Sequence, residues 1–294
     1  MLYNKNKIFS QSKNYFEFLI NEKQKPYYIK LDDKNYILLT KTYKKIFNFT
    51  IPIFCKITSY EAFNFTDEKS YQEILKKLQD LINKPYVLKS QITMHPLINT
   101  YKNDFFNKKY FTYILKLDNF NKEEDYMNFL NSKVRNIVRR SFKQGLSIKE
   151  ILNKEDLEIY IKFINNNRKE NGISVIPKEH FFNIWNAFKK DNLVRYFIVY
   201  KDNIPLASQG VNISLNGFTL VQTTTSKKAY EMKLNANDFM QFNMIKLAIK
   251  DGYDYVDWGG AQPNSNDPKM KAIDKFKAKW GGKLTSYSAY LKGY

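Results

Sequence analysis

Three groups of residues have types and spacing suited to chemistry. The first is on a helix expected over Pro268 to Trp280. There Lys271, Lys275 and Lys279 project to the side expected to face solvent, and Met270, Ile273, Phe276 and Trp280 occupy the opposite arc. Lys277 breaks this pattern, because at 100° per residue it falls inside the apolar arc. A lysine held against apolar surface is partly desolvated, so it either drops its pKa or finds an anionic partner. Such a group can stabilise an oxyanion or clamp a phosphate or carboxylate; otherwise its stem simply covers Trp280 while the ammonium reaches water. The second group is Asp257, Gly259, Gly260 and Gln262, at the carboxyl end of an expected strand. In α/β layers that end is where ligands bind, and paired glycines let a backbone approach one closely or make a tight turn. The third is Arg135, Arg139 and Lys143, at i, i+4 and i+8 along a helix whose other face carries Val134, Ile137, Val138 and Phe142.

Two further residues stand apart. Arg168 extends the stripe Leu157, Tyr160, Ile161 and Ile164 by one turn. It either points into the core or a cleft, or is a cation at a helix C-terminus, complementing the dipole. His95 precedes Pro96 at a strand end and suits a turn or a general base. Cys55 is the single cysteine, so it forms no intramolecular disulfide, and with only two histidines no metal-ligand set is expected. The chain contains no G-x-x-x-x-G-K-[ST], G-x-S-x-G or H-E-x-x-H, which disfavours phosphate-loop NTPases, serine hydrolases of that type and zincins.

The elements that must position these groups follow a readable rhythm. Strands are expected at Pro26 to Asp32 and Asn35 to Thr42, as a hairpin around Asp33-Lys34. Phe49 to Thr58 is strand-like but carries Pro52, which suits an edge. A helix follows at Asp67 to Leu81, then strands Tyr86 to Met94 and Tyr110 to Leu117. Glu123 to Gly145 reads as two helical pieces, with Ser132 as the N-cap of the second and Gly145 after its end. Helices at Glu155 to Asn167 and Pro177 to Lys190 lead into strands Val194 to Tyr200, Ile204 to Ser214 and Phe218 to Thr225. The helix Asn235 to Lys250, the strand Tyr253 to Trp258, the helix from Pro268 and the strand Lys283 to Leu291 complete an α/β succession.

Composition bounds the rest. The chain has 294 residues and a formal net charge of +19, from 48 Lys plus Arg against 29 Asp plus Glu. Aromatics at 16% exclude intrinsic disorder. The lysines are scattered, as biased composition produces, but three of the five arginines lie between Arg135 and Arg140. That local cluster is the part of the charge that suits an anionic partner. No apolar run is long enough to span a membrane, and the first residues lack a secretory apolar core. A cytoplasmic protein is expected, with peripheral attachment at the inner membrane face as an option.

Two segments resemble the Fem-type (FemABX) transferases of the GNAT superfamily of N-acetyltransferases. Tyr110 to Glu150 looks like that family's strand, acidic turn and basic helix. GYDYVDWGG (252–260) with DKFKAKWGG (274–282) looks like its ending, and Ile204-Pro205-Leu206-Ala207 stands at the matching place before the middle strands. The resemblance covers about 110–294. It implies an α/β fold of two tandem GNAT-like domains with mixed β-sheets flanked by helices, the first degenerate, and a cleft between them. The expected boundaries are 1–145, ending in the basic helix, and 146–294. The implied activity is acyl transfer: an aminoacyl group from aminoacyl-tRNA, or an acyl group from acyl-CoA, moves to an amine of a cell-envelope or surface-glycan precursor such as a peptidoglycan precursor.

By position, Phe276 and Lys277 match the family's reaction-centre pair. Arg168 matches an acceptor-phosphate arginine. His95 stands where family members often carry aspartate on the acceptor side. The donor side is expected to use Arg135, Arg139, Lys143, Asp257, Gly259, Gly260 and Gln262. No bound cofactor is expected, since the donor is a substrate, and the expected partners are tRNA and a phosphorylated or nucleotide-linked envelope precursor. The alternatives are a CoA-dependent N-acyltransferase acting on an amino sugar, and a non-catalytic module on the same fold that binds RNA or anionic glycan.

Overall fold

The computed structural model describes residues 8–46, 49–98 and 104–293, with the side chains of 44–53 outside that description. The segment read for a targeting signal therefore falls partly outside the described residues. In chain order the elements are α1 (Lys13–Asn21), β1 (Lys25–Lys30), β2 (Tyr36–Ile46), β3 (Phe49–Ala62), α2 (Glu68–Ile82), β4 (Val87–Met94), β5 (Lys108–Lys116), α3 (Glu123–Phe129) and α4 (Ser132–Phe142). There follow β6 (Ser147–Glu150), α5 (Lys154–Glu170), α6 (Lys178–Phe188), β7 (Val194–Lys201), β8 (Ile204–Ser214), β9 (Gly217–Thr225), α7 (Lys227–Glu231), α8 (Ala236–Lys250), β10 (Tyr255–Ala261), α9 (Pro268–Lys279) and β11 (Lys283–Lys292).

The chain forms two compact units, Met1–Phe111 with Thr285–Tyr294, and Thr112–Leu284. The boundary expected at 145 falls inside the second unit, between α4 and β6. The chain changes unit within β5 and again within β11, so no linker of Gly, Pro or Ser marks either passage.

In the first unit the strands run β1-β2-β3-β4, followed by β11. The hairpin forms as expected because Asp32 Oδ1 accepts from the N–H groups of Lys34 (2.7 Å) and Asn35 (2.9 Å), which closes the turn. Asp67 caps α2 by accepting from Ser70 N–H, and Tyr71, Ile74, Leu75 and Leu78 are buried beneath it, with Ile82 rather than Leu81 completing the face. β3 is an internal strand over its second half, where it runs parallel to β4 from Cys55 onward. Pro52 lies before that pairing begins, where the register with β2 shifts between Tyr43 and Lys44, so its missing N–H removes no ladder bond to β4.

In the second unit the order is β5-β10-β9-β8-β7-β6. β6 to β9 pair antiparallel, and β9 pairs parallel with β10. The cap of α4 is Asn131, whose side chain accepts from Val134 N–H; the expected Ser132 is already in the helix. α5 continues past Asn167 to Glu170. α8 is buried on more than its expected stripe: Gln241, Phe242, Ile245 and Ile249 join Ala236, Phe239, Met240, Met244 and Ala248. The fold class expected, α/β with two units of mixed β-sheet and flanking helices, is the one observed.

Candidate active site

The parallel pairing of β9 and β10 lasts three residue pairs, Tyr255↔Gly217, Val256↔Phe218 and Asp257↔Thr219. Both strands then continue, β9 to Thr225 and β10 to Ala261, without further pairing to each other. Strands that part at their carboxyl ends leave backbone groups facing a gap, the usual place for a ligand in such a layer.

Several helix ends meet at this same end of the strands. α8 begins there, after the β9–α7 passage. Asn167 of α5 donates to the Thr225 carbonyl at the end of β9 (2.8 Å). Gln144, just beyond α4, accepts from the Asn235 N–H at the start of α8 (2.8 Å).

The loop that ends β10 is held from both sides. Asp257 is 5% exposed, and its Oδ1 accepts from the Gly259 N–H (2.7 Å) and from the Thr112 hydroxyl. Asp274 of α9 accepts from the Gln262 N–H (3.2 Å). Lys277 reaches back from α9 and donates to the carbonyl oxygens of Gly259 (2.8 Å) and Gly260. Burial pushes the Lys277 pKa below the ordinary lysine value, while Asp274 and Asp257 pull it the other way. Of the two outcomes expected for a desolvated lysine, the lowered pKa is the one found, and neutral carbonyls are its direct partners. Gly259 has φ +67°, which suits glycine, and a side chain at Gly282 would press on Trp258 at 3.2 Å.

Phe276 is half-buried and meets Trp280 edge-on. Lys279 does not project freely into solvent as its helical position suggests; it pairs with Asp238 in the first turn of α8 and lies over the Phe276 ring. Ile273 is 37% exposed, and the buried residues of this helix end are Asp274 and Trp280. The burial is therefore around the clasped loop and not along the whole apolar arc.

The basic stripe divides. Arg135 Nη1 donates to the carbonyls of Asn128 (3.0 Å) and Leu130 (2.7 Å), so it caps the end of α3. Arg139 and Lys143 are exposed. Arg168 is half-buried in the last turn of α5, and its Nε donates to the Ser174 carbonyl (2.6 Å), which fixes the turn that follows the helix. No hydrogen bond or ion pair links Arg168 to Lys277 among the described residues.

His95 belongs to the first unit and is 1% exposed. Its Nδ1 accepts from the Leu97 N–H (3.1 Å) and its Nε2 faces Glu61 Oε1 at 3.6 Å. Burial holds its pKa below the ordinary histidine value against the pull of Glu61. Among the described residues, no cluster of His, Cys, Asp and Glu could hold a metal ion.

Pattern reading missed Thr112, Gln209, Gln241 and Asp274. Asp274 carried a signal, its place one turn before Lys277 on α9; Gln241 carried none, since α8 also holds Asn237, Asp238, Asn243 and Lys246.

Residues 132–269 match the family model of the acetyltransferase (GNAT) domain. No curated protein matches the sequence. Among solved structures, the crystal structure of FemX is similar over 96% of this chain and 92% of its own, with a TM-score of 0.71 and 14% identity. The C-terminal domain of a putative lysylphosphatidylglycerol synthetase from Agrobacterium fabrum is similar over 98% and 89%, with a TM-score of 0.61 and 9% identity. L-PGS from Bacillus licheniformis is similar over 98% and 93%, with a TM-score of 0.59 and 12% identity. At these identities the shared property is the fold.

Proposed function

We propose that this chain, an acyltransferase of the GNAT superfamily through its residues 132–269, moves an aminoacyl group from aminoacyl-tRNA to an amine of a cell-envelope or surface-glycan precursor. The observation that carries this reading is Lys277, a partly desolvated ammonium at the carboxyl ends of two parted parallel strands. An ammonium has three N–H donors. Two are engaged by the carbonyls of Gly259 and Gly260. The third is available for charge that develops nearby.

The chemistry follows from this placement. Attack of an amine on an ester carbonyl forms the C–N bond and places negative charge on the carbonyl oxygen. Collapse then breaks the ester C–O bond and expels the ribose oxygen, which takes up the proton that the attacking amine loses. Donation from Lys277 lowers the energy of the tetrahedral stage, and fixing both reactants at one strand end supplies orientation. Arg139 and Lys143 are exposed for phosphate on the donor; Arg168 has only its Nη groups left for the acceptor, because its Nε is held by the Ser174 carbonyl.

The choice of tRNA over acyl-CoA rests on the passage from β9 to α8. Residues 226–235 contain no glycine and include the short helix α7. A backbone cradle for a pyrophosphate ordinarily uses glycine for close approach. One observation favours the CoA alternative: Asn235 makes no side-chain cap at α8, which leaves that helix start open to an anion.

Incubation with charged tRNA against labelled acyl-CoA separates the two donors; transfer from CoA alone overturns the tRNA reading. Lys277→Ala should lower turnover by roughly 10²-fold. Full activity in that variant overturns the role of Lys277 and favours a binding module that retained the fold.

A further inference from the structure

Beside the parted strands lies a chain of polar side chains, buried except at its Thr223 end, which is exposed. Trp258 Nε1 donates to Gln241 Oε1 (2.8 Å). Gln241 Nε2 donates to Gln209 Oε1 (3.1 Å), and the Thr223 hydroxyl donates to the same oxygen (2.8 Å). Gln209 Nε2 donates to the Val221 carbonyl (2.8 Å). Gln209 is 0% exposed, Gln241 1% and Trp258 7%. Amides at such positions cost desolvation unless partnered, and these are partnered throughout, which makes them a rigid brace. Gln241 of α8 thereby ties β10, through Trp258, to β8 and to Val221 and Thr223 of β9. The separation of β9 and β10 beyond Asp257 is set in part by the length of that tie.

Gln222 lies between the two braced residues of β9, three positions past Thr219, the last residue paired with β10. The register between β8 and β9 shifts at this point, between Ser208 and Gly210. Gln222 has φ +53°, a conformation that residues with a side chain rarely adopt. Its Oε1 is buried and has no hydrogen-bond partner among the described residues. A strained residue carrying an unfilled acceptor, held on both sides by a satisfied network, is what a ligand-reading position requires.

We infer that Gln222 reads the group being transferred: its Oε1 accepts a hydrogen bond from an ammonium or hydroxyl beside the acyl carbon, so plain alkanoyl groups are poor donors. The inference rests on the transferase reading and deepens it by naming the chemistry of the acyl group. Gln209 and Gln241 act as positioning residues, because they hold β9 in the bulged register that presents Gln222.

The test is competition binding to the full chain with two matched pairs of probes. One pair is alanyl-tRNA and N-acetylalanyl-tRNA; the other is alanyl-CoA and propionyl-CoA. On whichever carrier binds, the ammonium-bearing member should bind about 10-fold or more tightly, the worth of a charge-assisted hydrogen bond. Gln222→Gly accommodates the positive φ, so its melting temperature should hold while the preference falls toward unity. Gln222→Glu keeps the acceptor and should keep the preference, which a merely structural role for Gln222 does not require. Equal binding within both pairs, or a preference that survives Gln222→Gly, overturns the inference while leaving the transferase reading in place. Failure of both carriers to bind overturns the two together.

Discussion

The ammonium of Lys277 sits 2.8 Å from the carbonyl oxygen of Gly259, with burial and not a counter-ion as the main influence on its charge. A lysine whose charged form is penalised by burial gives up its proton at lower pH than an exposed lysine. Only the protonated form carries the positive charge and, beside the two N–H groups held by Gly259 and Gly260, a third donor for an oxyanion. The rate should therefore fall as pH rises, through a basic limb below the ordinary lysine value. Arginine stays charged across that range, so Lys277→Arg should retain some activity and lose the limb. Profiles of kcat/KM against pH for the two proteins check this, and an unchanged limb in the arginine variant assigns it to another group.

His95 makes a prediction of the opposite kind, about stability. Its Nδ1 accepts from Leu97 N–H, so the neutral ring carries its proton on Nε2, toward Glu61. Burial keeps the folded-state pKa below that of the unfolded chain. As pH falls through about 6.5, the unfolded chain takes up a proton that the folded one refuses, and stability is lost. The loss continues until the lowered folded-state pKa is reached, at no more than about 1.4 kcal/mol per pH unit. Amide exchange in β4 should accelerate between about pH 7 and 5.5, beyond the intrinsic pH effect on exchange. His95→Gln should remove that excess. An identical excess in the variant would place its origin elsewhere.

Two glycines at opposite ends of the β9–β10 pair separate packing from function. A side chain at Gly217 would lie 2.2 Å from the Tyr255 ring, which is 1% exposed and hydrogen-bonded to the Ser214 carbonyl (2.5 Å). The ring has nowhere to move, so Gly217→Ala should destabilise the second unit by about 1–3 kcal/mol. Nothing lies within 4 Å of the corresponding point at Gly260. Gly260→Ala should leave the melting temperature unchanged and raise KM for the donor if a ligand approaches this backbone closely. Paired thermal melts and steady-state kinetics decide it, and an unaltered KM removes Gly260 from the donor surface.

What the sequence revealed of the site depended on how local the determinants were. Asp267 with Pro268 and the break at Gly252 are local signals, and the elements they delimit are where pattern reading places them. Lys277 was legible because a charge inside an apolar arc is visible in one helix. Gln209 and Gln241 were not legible, because they are 32 residues apart and meet only once α8 packs against β8. α8 is buried on several faces, so a polar residue within it could not be told from a surface one by periodicity. The unit boundary was hidden for a different reason: the chain crosses it inside β5 and β11, where strand composition continues without interruption. Arg168 and Arg135 show the remaining limit, since a cation that binds backbone carbonyls has the same sequence pattern as one that awaits a phosphate.

That last distinction is measurable on the basic stripe. Arg135 is spent on the carbonyls of Asn128 and Leu130, whereas Arg139 and Lys143 are exposed on the same helix. If tRNA is the donor, each phosphate contact releases counterions and contributes roughly 0.7–0.9 to the slope of log affinity against log salt. Arg139→Gln and Lys143→Gln together should flatten that slope by about 1–2 and weaken binding chiefly at low salt. Arg135→Gln should leave the slope unchanged and instead lower the melting temperature, because two carbonyls at the end of α3 lose their donor. Binding titrations of charged tRNA at several salt concentrations, with thermal melts of each variant, separate these outcomes. A slope that responds to Arg135 but not to Arg139 and Lys143 would move the tRNA contact away from the exposed stripe.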